Sequence, residues 1–175
     1  SQTDCVDGFL SAMTSAPIMP PLPRLVLDTN VVMDLLHFRA PPLAPLLTAI
    51  ETGAVVCLAD ARTLAELARV TGYKQFRLDD AGRRTLFDTY RAHVTLVACP
   101  THPMPLPLPK CRDPDDQMFL ELAQVGKADM LISRDNLVLK LAKARQRPCP
   151  FAILPPEQAL LRLMAGNPVH HRPQA

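Results

Sequence analysis

The chain has 175 residues, with 19 Lys+Arg against 17 Asp+Glu, a formal charge of +2, and 48% hydrophobic residues. That length suits one domain with a proper core, and the near-balance of charge excludes an acidic-tail protein, a histone-like basic protein and a disordered polyelectrolyte. No apolar run approaches the ~20 residues of a membrane helix. The first residues also lack a basic stretch leading into an apolar core, so the expectation is a cytoplasmic protein with no secretory signal and no membrane contact.

Residues 1–22 read as a flexible N-terminal arm ending in Pro17-Ile18-Met19-Pro20-Pro21. Arg24–Leu27 is a short buried strand, followed by a helix from Thr29 or Asn30 to about Phe38. A second helix fits Leu43–Thr52, closed by Gly53, and Ala54–Leu58 is the next strand. Asp60 caps a helix running to Val70 and stopped by Gly72. Asp79–Val94 is helical, Thr95–Cys99 is strand-like, and Asp113–Val125 is a helix ended by Gly126. Met130–Ile132 is a strand, Asn136–Arg145 a helix and Phe151–Leu154 a strand. Pro155–Met164 is the last helix, with Gly166 after it. Residues 167–175 read as a tail, leaving a single domain over 23–166. The 19 prolines, about twice the usual share, collect at the joints between these elements.

Strand–helix alternation of this kind predicts an α/β fold: a three-layer sandwich with a central parallel sheet flanked by helices. Its site should then lie at the carboxyl ends of the strands. The glycine-rich fingerprints of dinucleotide and P-loop nucleotide binding are absent, and so is the nucleophile elbow of hydrolases. The five cysteines, Cys5, Cys57, Cys99, Cys111 and Cys149, are scattered without metal-ligand or disulfide spacing, and read as reduced packing thiols.

Carboxylates are the residues that need explaining. Asp28 directly follows the first strand, and Asp135 holds the equivalent place after Met130–Ile132 and Ser133-Arg134. Either alone could simply cap the next helix. In Asp113-Pro114-Asp115-Asp116, Asp113 is an N-cap and Pro114 opens the helix, which accounts for most of the acidic run. Asp116, however, shares a face with Phe119, Leu120 and Ala123 at about 100° per residue. A carboxylate on an apolar stripe must be neutralised, paired or bound to a cation. Glu66 reads differently: Ala61, Leu64, Ala65 and Ala68 define the apolar arc of its helix. Glu66 falls opposite, a solvated residue within reach of Arg62 at i−4. Asp34, Asp79, Asp80, Asp88 and Asp129 read as cap or surface acids.

Taken together, these stretches resemble a PIN-domain ribonuclease of the bacterial toxin–antitoxin type. The likeness rests on Leu25-Val26-Leu27-Asp28-Thr29-Asn30, on Leu64-Ala65-Glu66-Leu67, and on Asp113 through Ala123. Ala128 through Asn136 and Ile153 through Leu160 complete it. It spans about 23–165. The resemblance implies an acidic site of Asp28, Glu66, Asp116 and Asp135 holding one or two Mg²⁺ or Mn²⁺ ions, with Asn30 in support, and so sets Glu66 against the reading of its helix as solvated there. It implies an RNA substrate, a cognate antitoxin partner and a homodimer.

Two departures stand out. Leu137 occupies a place where many relatives carry a further acid, which weakens a second metal site. The proline-rich loop 100–112 is longer and stiffer than the family pattern, which reshapes substrate entry.

Carboxylates that hold divalent metal fit phosphodiester hydrolysis, because the ion activates water and clamps the attacking and leaving oxygens. Arg62, Arg69, Lys74, Lys110, Arg112 and Arg134 lie near the acids in sequence, and Arg134 and Arg112 are the candidates for phosphate contact. With no Trp and only Tyr73 and Tyr90, no base-stacking platform is evident. The rival readings are a PIN-like RNA- or protein-binding module without catalysis and an aspartate-based phosphatase. The phosphatase lacks its second Asp, because Asn30 stands there. A receiver domain would need a lysine where Arg134-Asp135 lies.

Overall fold

The computed structural model describes residues 19–145 and 147–166. The arm and tail read over 1–22 and 167–175 therefore fall mostly outside the described residues. Five short parallel strands form one sheet in the order β3-β2-β1-β4-β5. They are β1 (Arg24–Leu27), β2 (Val56–Ala59), β3 (Val94–Leu96), β4 (Met130–Ile132) and β5 (Ala152–Leu154). The helices are α1 (Thr29–Leu36), α2 (Ala44–Glu51), α3 (Ala61–Val70), α4 (Asp80–His93), α5 (Pro114–Val125), α6 (Asn136–Leu139) and α7 (Pro156–Met164). The α/β sandwich expected from the alternation is the one observed.

Side chains that alternate along β1 feed two separate cores. Leu25 and Leu27, with Cys57, Met130 and Ile132, pack beneath α1 to α4 and α7. Val26, Leu58, Leu131 and Ile153 pack on the other face against Phe119, Leu120, Leu122 and Ala123 of α5 and Val138 of α6. Because both faces are covered, the strands read as near-continuous apolar runs rather than alternating ones. Among the described residues no helix is long and apolar enough to cross a membrane.

The largest boundary differences from the sequence reading lie in β2, β3 and α6, and one glycine has a further role. β2 starts at Val56, because Gly53 takes φ +73° and Ala54 still bonds back to the carbonyl of Ala49 in the helix-ending turn. β3 begins at Val94, directly at the end of α4, and closes at Leu96. α6 is a single turn of four residues that tightens into a 3₁₀ turn over Lys140–Lys143. Gly126, read as a helix stop, keeps right-handed φ −77°, and Lys127 takes the left-handed position at φ 53°. Gly126 is there for space: a β-carbon on it would lie 2.7 Å from Leu58 Cδ1.

Chain order sets where a crevice opens. From β1 the chain runs through α1 and α2 to β2 on one side, and it returns through α5 on the opposite face to β4 on the other side. The carboxyl ends of β1 and β4 are thus the point where the strand order reverses, the usual place for a site in an open parallel sheet.

Candidate active site

Leu27 pairs with Ile132, and the Asp28 amide donates to the Ile132 carbonyl at 2.9 Å, so Asp28 stands one residue past the sheet at this reversal. It precedes α1 in extended geometry but its side chain does not cap the helix. Instead its Oδ2 accepts from the hydroxyl of the fully buried Ser133 at 2.7 Å. The same hydroxyl accepts from the Asp135 amide at 3.1 Å, which ties the two strand ends together. Asp135 does cap: its Oδ1 receives the Leu137 amide at 2.8 Å. Burial pushes the Asp28 carboxyl up, against the pull of the Ser133 hydroxyl and the amides of Asn30 and Thr29, while Asp135 adds repulsion.

On α5, Asp113 accepts the Asp115 amide at 2.9 Å as the N-cap, and Asp115 points out with its side chain 66% exposed. Asp116 is half-buried, one turn above the buried Phe119 and Leu120, as the apolar stripe requires. Its carboxyl is pushed up to about 7, first by burial and then by Asp28, Asp135, Asp113 and Glu66. Those neighbours place the other three candidate carboxylates within electrostatic reach of Asp116.

The structure corrects the orientation of α3. Its buried face is Thr63, Leu64, Leu67 and Val70, while Ala61 and Ala65 are exposed. Alanines weigh little in burial, so counting them as apolar rotated the arc by about a third of a turn. Glu66 lies at the edge of the true face, its side chain 14% exposed, and it accepts from the Thr29 hydroxyl at 2.7 Å. Its cation is Arg69 at 3.2 Å. Arg62, matched to Glu66 in the sequence reading, instead joins Asp60 at 2.9 Å and Glu121 at 2.8 Å. Burial, and after it Asp28, raises the Glu66 carboxyl, although the Thr29 hydroxyl pulls it down.

Asn30 is exposed at the start of α1. Arg134 is engaged by Asp34 of α1 and, at 2.8 Å, by Glu157 of α7. Arg112 is exposed beside Asp113. Asp79 caps α4 through the Gly82 amide, and Asp129 receives the Arg24 amide. Ser133 and Thr29, which hold Asp28 and Glu66, escaped the sequence reading. Thr29 directly follows Asp28 and Ser133 lies two residues before Asp135, and that closeness in sequence was the available signal. Cys111 is buried, its thiol pushed up to about 12 by burial and then by Asp116, so it stays protonated rather than serving as a nucleophile. The cysteines at 57, 99, 111 and 149 are free thiols.

Among the described residues no three His, Cys, Asp or Glu side chains converge closely enough to hold an ion as they stand. The donor set nonetheless fits a hard divalent cation: carboxylate oxygens alone, two of them braced by hydroxyls, whose mutual repulsion a cation relieves.

A PIN domain family model matches residues 24–137. No curated protein matches the sequence. The fold is similar to VapBC2 from Rickettsia felis bound to a DNA fragment from their promoter. That match has 12% identity, covers 75% of this chain and 98% of the other, and has a TM-score of 0.50. PAE2754 from Pyrobaculum aerophilum is also similar, at 17% identity over 82% of this chain and 90% of the other, with a TM-score of 0.48. At 12% identity the likeness to VapBC2 speaks for the fold alone.

Proposed function

The chain belongs to the PIN-domain family, and on that premise we propose that it is a metal-dependent endoribonuclease, the toxin of a toxin–antitoxin pair. The observation that carries this reading is the gathering of Asp28, Glu66, Asp116 and Asp135 at the β1/β4 reversal, with Asp116 pushed up to about 7 by burial and the other carboxylates. Perturbed acids concentrated at such a crevice are what hydrolytic sites are built from.

Asp28, Asp116 and Asp135 would hold one or two Mg²⁺ or Mn²⁺ ions, with Glu66 as a further ligand or as general base through water. The ion supplies activation of water and charge neutralisation at the phosphate oxygens. Ser133 keeps Asp28 aimed outward from the strand end, and Thr29 keeps Glu66 turned toward it rather than toward solvent. Arg69, between Glu66 and Asp115, balances charge at the rim. The similarity of the fold to VapBC2 supports a cognate antitoxin as partner. In this reading the enzyme works in the cytoplasm on RNA, as a homodimer when free of its partner.

The test is cleavage of a labelled structured RNA with and without Mg²⁺ or Mn²⁺, comparing wild type with Asp28→Asn. Metal-dependent cutting by wild type, lost by at least ~100-fold in the variant, is expected, since disturbing even a group that only orients a metal ligand typically costs about 10–100-fold. Equal cutting by the variant would remove Asp28 from the site. Absence of divalent-metal binding by wild type would turn the reading toward a binding module.

A further inference from the structure

Residues 103–109 alternate proline with Met or Leu, as Pro103-Met104-Pro105-Leu106-Pro107-Leu108-Pro109. Each proline fixes φ and removes an amide, so the segment is stiff and cannot pair as an inner strand. One face of α5 is built to hold it. Gln124 takes Leu106 at both ends of its amide, donating to the Leu106 carbonyl at 3.1 Å and accepting its N–H at 3.2 Å. Two turns nearer the site, Gln117 donates to the Pro109 carbonyl at 3.1 Å and accepts the Cys111 N–H at 2.7 Å. Leu108 and Cys111 are buried in the core beneath α5.

Gln117 and Gln124 therefore mimic a strand edge for a loop that has few amides to offer. The loop delivers Lys110 and Arg112, both exposed, to the threshold of α5, immediately before Asp113 and Asp116. The other arginines around the acids are already engaged: Arg62 by Asp60 and Glu121, Arg69 by Glu66, Arg134 by Asp34 and Glu157. Among the described residues Lys110 and Arg112 have no ion pair.

We infer that Gln117 is a positioning residue: it clamps the proline-rich loop onto α5 so that Lys110 and Arg112 stand at the rim of the carboxylate cluster and take the backbone phosphates of bound RNA. This rests on the nuclease reading above and adds how the polyanion is held beside a site that by itself repels it. A stiff loop pinned next to its cations loses little entropy on binding, so the contacts go into affinity.

The experiment measures binding of a fluorescein-labelled RNA hairpin across a salt series, together with kcat and KM for its cleavage. The proteins are wild type, Gln117→Met, Gln124→Ala and the exposed-site double variant Lys110→Ala/Arg112→Ala. The double variant should lower the salt slope of binding by about 1.4 to 1.8, the value for two phosphate contacts on loop or stem. Gln117→Met should reproduce most of that loss, raise KM about tenfold and leave kcat within twofold. Adding Gln117→Met to the double variant should cost nothing more. Gln124→Ala, at the far end of the loop, should have a smaller effect. Thermal melting and protease sensitivity of the loop show whether Gln117→Met remains folded, and the double variant, altered only at exposed positions, carries the test if it does not. If wild type binds and cuts the hairpin while the double variant or a folded Gln117→Met keeps the full salt slope and KM, the inference fails alone. If wild type neither binds nor cuts it, the nuclease reading fails with it.

Discussion

Asp116, which the proposed function makes a metal ligand, carries a stability cost of its own. Its carboxyl is raised from 3.8 to about 7, chiefly by burial and then by Asp28. A raised acid takes up a proton on folding, so below pH ~4 it costs nothing. As pH climbs from about 4 to 7 the unfolded chain ionises first and stability falls, and above 7 the penalty is constant. Asp116→Asn removes it. In metal-free protein the variant should melt higher than wild type by about 3 °C at pH 7.5. That corresponds to ~1 kcal/mol for a domain of this size once the solvent reaching the site is allowed for. The gain should vanish by pH 4, as differential scanning calorimetry across pH would read. Cleavage should be lost at the same time. A melting point unchanged at pH 7.5 would mean that Asp116 is not crowded by its neighbours.

At the scale of elements, helix starts and stops were largely written in local chemistry. Asp60 caps α3 through the amides of Arg62 and Thr63, and Thr63 returns a bond to the Asp60 amide, a reciprocal box readable from four consecutive residues. Asp113 with Pro114, and Asp79, mark their helices equally well. Gly126 is the instructive exception. It ends α5 as expected, but with a right-handed backbone, and what leaves no room for a β-carbon there is Leu58 on the neighbouring strand. Gly126→Ala should therefore destabilise by overpacking, about 1–3 kcal/mol, read by urea unfolding with an unchanged m-value. Were the residue merely a helix stop in right-handed geometry, alanine would be neutral or stabilising.

Across the whole molecule, the sheet order decides where charge gathers. The formal charge of +2 rises to +6 once the four site carboxylates are neutralised. Under the proposed function, a divalent ion at these carboxylates would turn a local excess of negative charge into a surface better suited to a polyanion. RNA affinity of wild type should be several-fold higher with Mg²⁺ than with chelator at low salt. The difference should shrink as sodium chloride approaches molar concentration, because the long-range part is screened. Anisotropy titrations would show this, and an affinity indifferent to Mg²⁺ would argue against an ion at the carboxylates. Arg134, joining Asp34 of α1 to Glu157 of α7, belongs to this scale as well. Its position beside Asp135 made it look like a phosphate ligand, but folding gives it two carboxylate partners from distant helices.

The alternation of strand and helix, the caps of α3, α4 and α5, and the placing of Asp28 and Asp135 just past strand ends were all legible in the amino-acid sequence. So was the conflict of Asp116 with an apolar stripe. These follow from residues within a turn or two of one another, where periodicity and hydrogen-bonding chemistry act directly. The roll of α3 came from packing, and with it the bond between Glu66 and the hydroxyl of Thr29, 37 residues away in sequence. Packing also set Ser133 to brace Asp28 across 105 residues and reserved Gln117 and Gln124 for the proline-rich loop. The reason is physical: alanine-rich helix faces and lone hydroxyls or amides carry too little energy to announce their partners. Their roles are set when the sheet closes around β1 and brings distant segments within hydrogen-bond reach.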